Sequence, residues 1–175
     1  VQYVGKSEAH HVKDRIVNKM LKKHLVDFST IIFIFLIDRV SKLLIISSPE
    51  TYEQYGISIT SFLNFNLIWN EGIAFGLFSF DEKFYYNLLT IIICLIILII
   101  IWLMLKSKGF EKISFLLIIG GSLGNIYDRF YYSAVPDFID IHFNNYHWFI
   151  FNVADIFITL GTVSYTHLTL PTSPK

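Results

Sequence analysis

From Phe84 to Leu105 the chain carries no charged residue and no proline or glycine, and its centre, Ile91–Ile101, reads IIICLIILIII. About 20 mostly apolar residues in a helix span the hydrocarbon core of a bilayer. A segment this apolar and this long has no place on a water-facing surface, so every other element must be arranged around a membrane helix. Composition agrees: hydrophobic residues make up 54% of the 175 residues and charged residues 16%, against about a quarter charged in soluble domains.

Three further spans are expected. The first runs from about Phe28 to Ile46 and carries Asp38, Arg39 and Lys42 in its second half. The third runs from about Ile113 to Tyr127 and ends at Asp128-Arg129, and the fourth begins near Trp148 and continues through FIFNVADIFITLGTV. The fold class is therefore an all-α membrane protein: four transmembrane helices with a small periplasmic β-sheet or loop region on the outer surface. That region is expected because Leu63–Trp69, LNFNLIW, alternates apolar and polar residues as a half-buried strand does, with Trp69 and the Tyr52/Tyr55 pair suited to the membrane interface. One membrane domain is expected over residues 20–163. Residues 1–19 read as a disordered or upstream extension, and 164–175 as an atypical, non-native tail that breaks the apolar pattern.

Orientation follows from lysine and arginine. Lys13, Arg15, Lys19, Lys22 and Lys23 precede the first span, and Lys106, Lys108 and Lys112 fill the loop between the second and third. Glu50, Glu53, Glu71, Asp81 and Glu82 lie in one of the other connections, and Asp137 and Asp140 in the other. Both termini are then cytoplasmic and the acidic loops lie outside. The formal net charge is zero, which leaves no basic field for a nucleic-acid partner. A single cysteine, Cys94, excludes a disulfide framework and a cysteine-based metal site. None of His10, His11, His24, His142, His147 and His167 forms a helical zinc-protease pair, so no metal and no other cofactor is expected.

Ionisable groups in membrane spans cost a few kcal/mol each on insertion scales and mark function by default. Here they gather at the outer ends of three spans. Asp38, Ser41 and Lys42 share a helix face, as do Asn125, Asp128 and Arg129, and Asn152 and Asp155 lie three apart. Gly120, Gly121 and Gly124 read as a small-residue packing face that lets helices approach. Asp137 falls in the short outer loop and Asp155 on the outer turn of the fourth helix. Two carboxylates held close in a low-dielectric site share one proton. The ionised member can then activate water while the protonated one donates to an amide carbonyl.

The chain resembles the lipoprotein signal peptidase family, also called signal peptidase II. The matching blocks are Asp38-Arg39-Val40-Ser41-Lys42, Asn70-Glu71-Gly72-Ile73-Ala74-Phe75-Gly76, Gly120 through Arg129 (GGSLGNIYDR), Val135-Pro136-Asp137-Phe138-Ile139 and Phe151-Asn152-Val153-Ala154-Asp155. Together they cover about Met20 to Val163. The resemblance implies an aspartic endopeptidase of the inner membrane that removes signal peptides from diacylglyceryl-modified prolipoproteins, cutting before the lipidated cysteine, with its active site at the periplasmic side. It implies Asp137 and Asp155 as the catalytic pair, and Asn70, Gly72, Asn125, Arg129 and Asn152 as substrate-binding residues. Asp128 is implied to orient Arg129, and Asp38 and Lys42 to play supporting roles. The partners would be lipid-modified prolipoproteins and membrane lipids, with the protein a monomer.

Glu71, Ile73 and Pro136 depart from the family's commoner residues, and Pro136 restricts Val135 to extended geometry. Asp140 reads as a solvated or interfacial decoy, His142 and His147 as interface or hydrogen-bonding residues, and Cys94 as a lipid-facing or packing residue. A small proton-coupled carrier is the competing reading, since intramembrane acids also mark ion paths. A carrier, however, should spread polar groups through the depth of the bilayer. A non-enzymatic scaffold is a third reading, for which a glycine face alone would suffice.

Overall fold

The computed structural model of the chain describes residues 2–52, 56–72, 83–143 and 146–169. Among them the uninterrupted apolar run forms helix α2, Lys83–Lys106, close to the bounds the sequence sets. Only 17% of its most apolar window is buried against protein. Ile91, Leu95, Leu98, Ile99 and Trp102 point outward. Apolar side chains with no protein partner on this scale belong against lipid.

The other helices are α1, Gln2–Ile46, α3, Gly109–Tyr132, and α4, Val153–Thr169. The order is α1, a short 3-10 turn at Pro49–Tyr52, strands β1 (Ile57–Thr60) and β2 (Leu63–Asn70), α2, α3, strands β3 (Val135–Phe143) and β4 (Tyr146–Phe151), and α4. Helix α3 is the hub, packed against α4, α1 and α2. Its glycines allow this. A Cβ on Gly121 would stand 2.5 Å from the Ala154 carbonyl oxygen of α4, and one on Gly124 would overlap the Asp38 carboxylate of α1. Towards the other end of α3, Met104, Phe115, Leu116, Ile118 and Ile119 form the main apolar cluster, with Tyr165 of α4 packed on it.

The strands form one antiparallel sheet in the order β1-β2-β3-β4. Ile45, Leu67 and Phe138 make a second apolar cluster, with Val153 against it, that seats the sheet on the ends of α1 and α4. Phe138 is 3% exposed, and burying such a ring contributes about 1.5–3 kcal/mol. Three register shifts interrupt the sheet: one between Ser58 and Thr60 in β1, and two bulges near this seat. Between Phe65–Ile139 and Ile68–Asp137, two residues of β2 oppose Phe138 alone. Between Asp140–Ile150 and His142–His147, Trp148 and Phe149 of β4 oppose Ile141 alone. Each bulge shifts the register by one, which reverses which face the following side chains use.

Several expectations are corrected. The segment from Gln2 to Lys19 is helical and continuous with the rest of α1, not a disordered extension. Trp148–Phe151 belongs to strand β4, so the fourth helix begins at Val153; it runs on through the first residues of the atypical tail to Thr169. Asp137 lies within a strand, not a loop. The expected strand at Leu63–Trp69 is β2. Tyr55, Glu53, Ile73–Gly76, Asp81, Glu82 and residues 170–175 lie outside the described residues.

Candidate active site

Helix α4 begins with a reciprocal cap. Asn152 precedes the first turn, and its side-chain oxygen accepts the Asp155 backbone N–H at 3.2 Å, while Asp155 Oδ2 accepts the Asn152 backbone N–H at 3.1 Å. An Asn-x-x-Asp spacing can form the capping box that satisfies two otherwise orphaned donors. A third, the Ala154 N–H, donates to Asp38 Oδ1 of α1 at 2.9 Å. Asp155 is thereby fixed at the positive end of a helix. The cap is a feature that sequence reasoning missed, although the spacing was there to be read.

The same Asn152 holds the other carboxylate. Its Nδ2 donates to Asp137 Oδ1 at 2.6 Å, and Asn70 Nδ2 donates to Asp137 Oδ2 at 2.8 Å. Asn125 Nδ2 donates to Asp155 Oδ1 at 2.9 Å. Three side-chain amides thus hold two acids, and Asn152 touches both. The orientation of each amide is set from behind. Asn70 Oδ1 accepts the Gly72 N–H at 2.8 Å in an Asx turn, Asn152 Oδ1 is engaged in the cap, and Asn125 Oδ1 accepts from Lys42 Nζ at 2.8 Å.

Asp137 is 3% exposed, and this burial pushes its carboxyl up to about 7. The neighbouring Asp155 charge adds to the rise, and the amides of Asn70 and Asn152 oppose it. Among the described residues, neither Asp137 nor Asp155 forms an ion pair with a lysine or arginine.

Behind the pair lies a charged knot. Lys42 Nζ meets Asp38 Oδ2 at 3.0 Å and Asp128 Oδ2 at 2.7 Å, and Arg39 meets Asp128 Oδ1 at 2.5 Å and Asp38 Oδ2 at 3.1 Å. Asp38, Lys42 and Asp128 are fully buried. Two acids balance two cations, as buried charge requires.

This corrects the role implied for Asp128, which pairs with Lys42 and Arg39 and not with Arg129. Arg129 turns instead to the Gly72 carbonyl oxygen and lies over the Tyr86 ring, 5.4 Å from its centroid. Asp140 is also corrected. It is 2% exposed rather than solvated, and both its oxygens lie on His147 Nδ1, at 2.9 and 3.1 Å. Asp137, Asp155, Asn70, Gly72, Asn125, Arg129 and Asn152 do come together, from β2, β3, α3 and α4. No group of three or more His, Cys, Asp or Glu able to hold a metal occurs among the described residues.

Comparison with known proteins places this geometry. Residues 30–170 match the family model described as Signal peptidase (SPase) II. The lipoprotein signal peptidase of Pelagibacter ubique (strain HTCC1062) is 53% identical over 146 residues, covering 83% of this chain and 88% of that one. The lipoprotein signal peptidase of Francisella tularensis subsp. novicida (strain U112) is 40% identical over 162 residues, covering 89% and 98%. Two solved structures of a bacterial membrane enzyme, obtained by the in meso method, superpose with TM-scores of 0.69 and 0.68 at 25% and 27% identity. They cover 86% and 85% of this chain and 93% and 94% of theirs. The chain belongs to the signal peptidase II family, whose members remove signal peptides from prolipoproteins.

Proposed function

We propose that the chain is an aspartic endopeptidase of the bacterial inner membrane that cleaves diacylglyceryl-modified prolipoproteins on the N-terminal side of the lipidated cysteine. Its four helices span the bilayer with both termini cytoplasmic. The sheet and the carboxylate pair lie at the periplasmic side. The observation that carries the reading is the amide-bridged pair: Asn152 bonds Asp137 through its side chain and Asp155 through its backbone. Two carboxyls held together on one amide, one of them buried, cannot both ionise readily.

Asp137, 3% exposed and held by the two neutral amides of Asn70 and Asn152, is the member that holds the shared proton. Asp155, at the start of α4 and receiving two N–H donors, is the carboxylate. A water between them passes a proton to Asp155 as its oxygen attacks the scissile carbonyl carbon. Asp137 gives its proton to the carbonyl oxygen, forming a neutral tetrahedral gem-diol. When the C–N bond breaks, the proton on Asp155 goes to the leaving cysteine nitrogen. A hydroxyl proton of the gem-diol returns to Asp137, and the pair is reset. Asn70, Gly72, Asn125, Arg129 and Asn152 line the place where the peptide backbone lies, while the acyl chains stay in lipid beside α4.

The test is cleavage of a lipid-modified prolipoprotein by the chain reconstituted in liposomes. Asp137→Asn and Asp155→Asn are each expected to abolish it. Normal cleavage by either variant removes the mechanism. Substrate-dependent ion flux through the same liposomes would replace the protease reading with a carrier.

A further inference from the structure

Asp140 and His147 lie outside the site described above, yet they bind each other across a break in the sheet. Asp140 stands on β3 just before the β4 bulge, opposite Ile150, and His147 stands just beyond it, opposite His142. The bulge places two residues of β4 against Ile141, and the ladder of paired residues is interrupted there. The His147–Asp140 contact spans that gap. The His147 side chain is 52% exposed, whereas the carboxylate it holds is 3% exposed. A buried carboxylate is tolerated only when a partner offsets its lost hydration.

What depends on the bulge is Asn152. Beyond it, β4 pairs Ile150 with Asp140 and Phe151 with Ile139, and Asn152 follows directly. From there its amide reaches Asp137 and its backbone reaches Asp155. Were β4 to slip by one residue, Asn152 would move by about 3.3 Å and its side chain would turn to the opposite face. Both catalytic acids would lose a donor at once. The geometry points to Asp140 and His147 as positioning residues, a clasp that holds the β4 register so that Asn152 stays between the two carboxylates. The inference rests on the aspartyl reading above and deepens it.

The clasp makes two demands that simple fold stabilisation does not. Loosening it must alter the environment of Asp137, because the Asn152 amide holds that carboxyl down. It must also be repaired by any side chain at position 147 that donates to Asp140. The experiment is steady-state cleavage of a synthetic diacylglyceryl-cysteine prolipoprotein peptide by the full chain in liposomes, across pH. For His147→Ala, kcat should fall by about 10- to 100-fold, the scale of a misplaced catalytic group. KM should stay within about twofold, and the alkaline limb of the profile should move to higher pH. His147→Lys, whose ammonium can reach Asp140, should return kcat to within about threefold of the wild type and restore the limb. Asp140→Asn, which keeps an acceptor for His147, should retain most activity.

A wild-type kcat and limb in His147→Ala would overturn the clasp. So would a lowered kcat with an unmoved limb, or a loss that His147→Lys does not restore. Should His147→Ala fail to fold, His147→Lys against Asp140→Asn decides: inactivity in Asp140→Asn would make Asp140 a reacting group and end the positioning role. An inactive Asp137→Asn beside a wild-type-like His147→Ala defeats the clasp alone. A fully active Asp137→Asn defeats the aspartyl reading first.

Discussion

The knot formed by α1 and α3 and the carboxylate pair formed by β3 and α4 are neighbours built from the same acidic side chain. In the knot, Asp38 and Asp128 each meet both Lys42 and Arg39. In the pair, Asp137 and Asp155 meet the amides of Asn70, Asn125 and Asn152, which carry no charge. Opposite charge engages a carboxylate in ion pairs that offset its burial. Neutral donors hold a carboxylate in place while leaving its proton free to move. The two regions meet at Asn125, which accepts from Lys42 on one side and donates to Asp155 on the other. The knot thus orients the site without neutralising it.

The comparison breaks most sharply at the acids themselves. Asp137→Asn and Asp155→Asn should each lower cleavage by at least ~10²–10⁴-fold, the range that general acid–base catalysis supplies. Their thermal unfolding should stay close to that of the wild type. Asp128→Asn should do the opposite, destabilising the fold while the surviving protein still cleaves. Cleavage assayed per folded molecule, together with unfolding followed by circular dichroism, separates the two. A stable but inactive Asp128→Asn would move that residue from the knot into the chemistry.

Much of this contrast is legible in the sequence, and the failures have physical causes. Helix α2 shows plainly because lipid imposes one requirement along its whole length. Strand β2 shows because its residues alternate. Asp155 stands out as an acid at the end of an apolar run, and Asp137 through the Val-Pro-Asp-Phe-Ile block that the resemblance selects. The error at Asp128 came from assigning it to its sequence neighbour. Adjacent residues on a helix point about 100° apart and do not face each other, so Asp128 turned to α1 and Arg129 to the Gly72 turn. Strand β4 was hidden because Trp148–Phe151 is apolar and only Asn152 separates it from the apolar α4. Bulges carry no periodic signal at all. That is why Asp140 reads as a solvated or interfacial acid, when its partner lies beyond a register shift that no pattern announces.

Lys42→Met tests the charged side of the comparison. It leaves Asp38 and Asp128 buried with Arg39 alone, and removing one partner of a buried ion pair costs about 3–5 kcal/mol. A large fall in unfolding temperature is expected. Adding Asp128→Asn should recover part of it by restoring the balance of one acid to one cation. If Lys42→Met instead keeps the wild-type unfolding temperature and only abolishes cleavage, the lysine acts on the reaction and not on the fold.

Gly121→Ala and Gly124→Ala separate the two regions by a single methyl. At Gly124 the added carbon meets the Asp38 carboxylate of the knot, and at Gly121 it meets the Ala154 carbonyl next to Asp155. Overpacking of this kind costs about 1–3 kcal/mol. Both variants should therefore lose stability. Gly121→Ala should lose more activity per folded molecule, because it displaces the first turn of α4. Equal activity losses would mean that the two regions move as one body.

The smallest expected effect is a shift in pH dependence. Asp137 must be protonated to donate, and its carboxyl is raised to about 7, so activity should fall as pH rises through that value. Burial is the larger cause of the rise, and the amides of Asn70 and Asn152 pull against it. Asn70→Ala removes one of those donors. A hydrogen bond to a charged acceptor is worth about 1.5–3 kcal/mol, and about 1.4 kcal/mol corresponds to one pH unit. The alkaline limb should therefore move up by about one unit, even as kcat at its plateau falls. The sign discriminates. Had a lysine or arginine paired with Asp137, its limb would lie far on the acid side and the loss of an amide would hardly be seen. A limb that moves down in Asn70→Ala would assign the titration to a different group and erase the distinction between the knot and the pair.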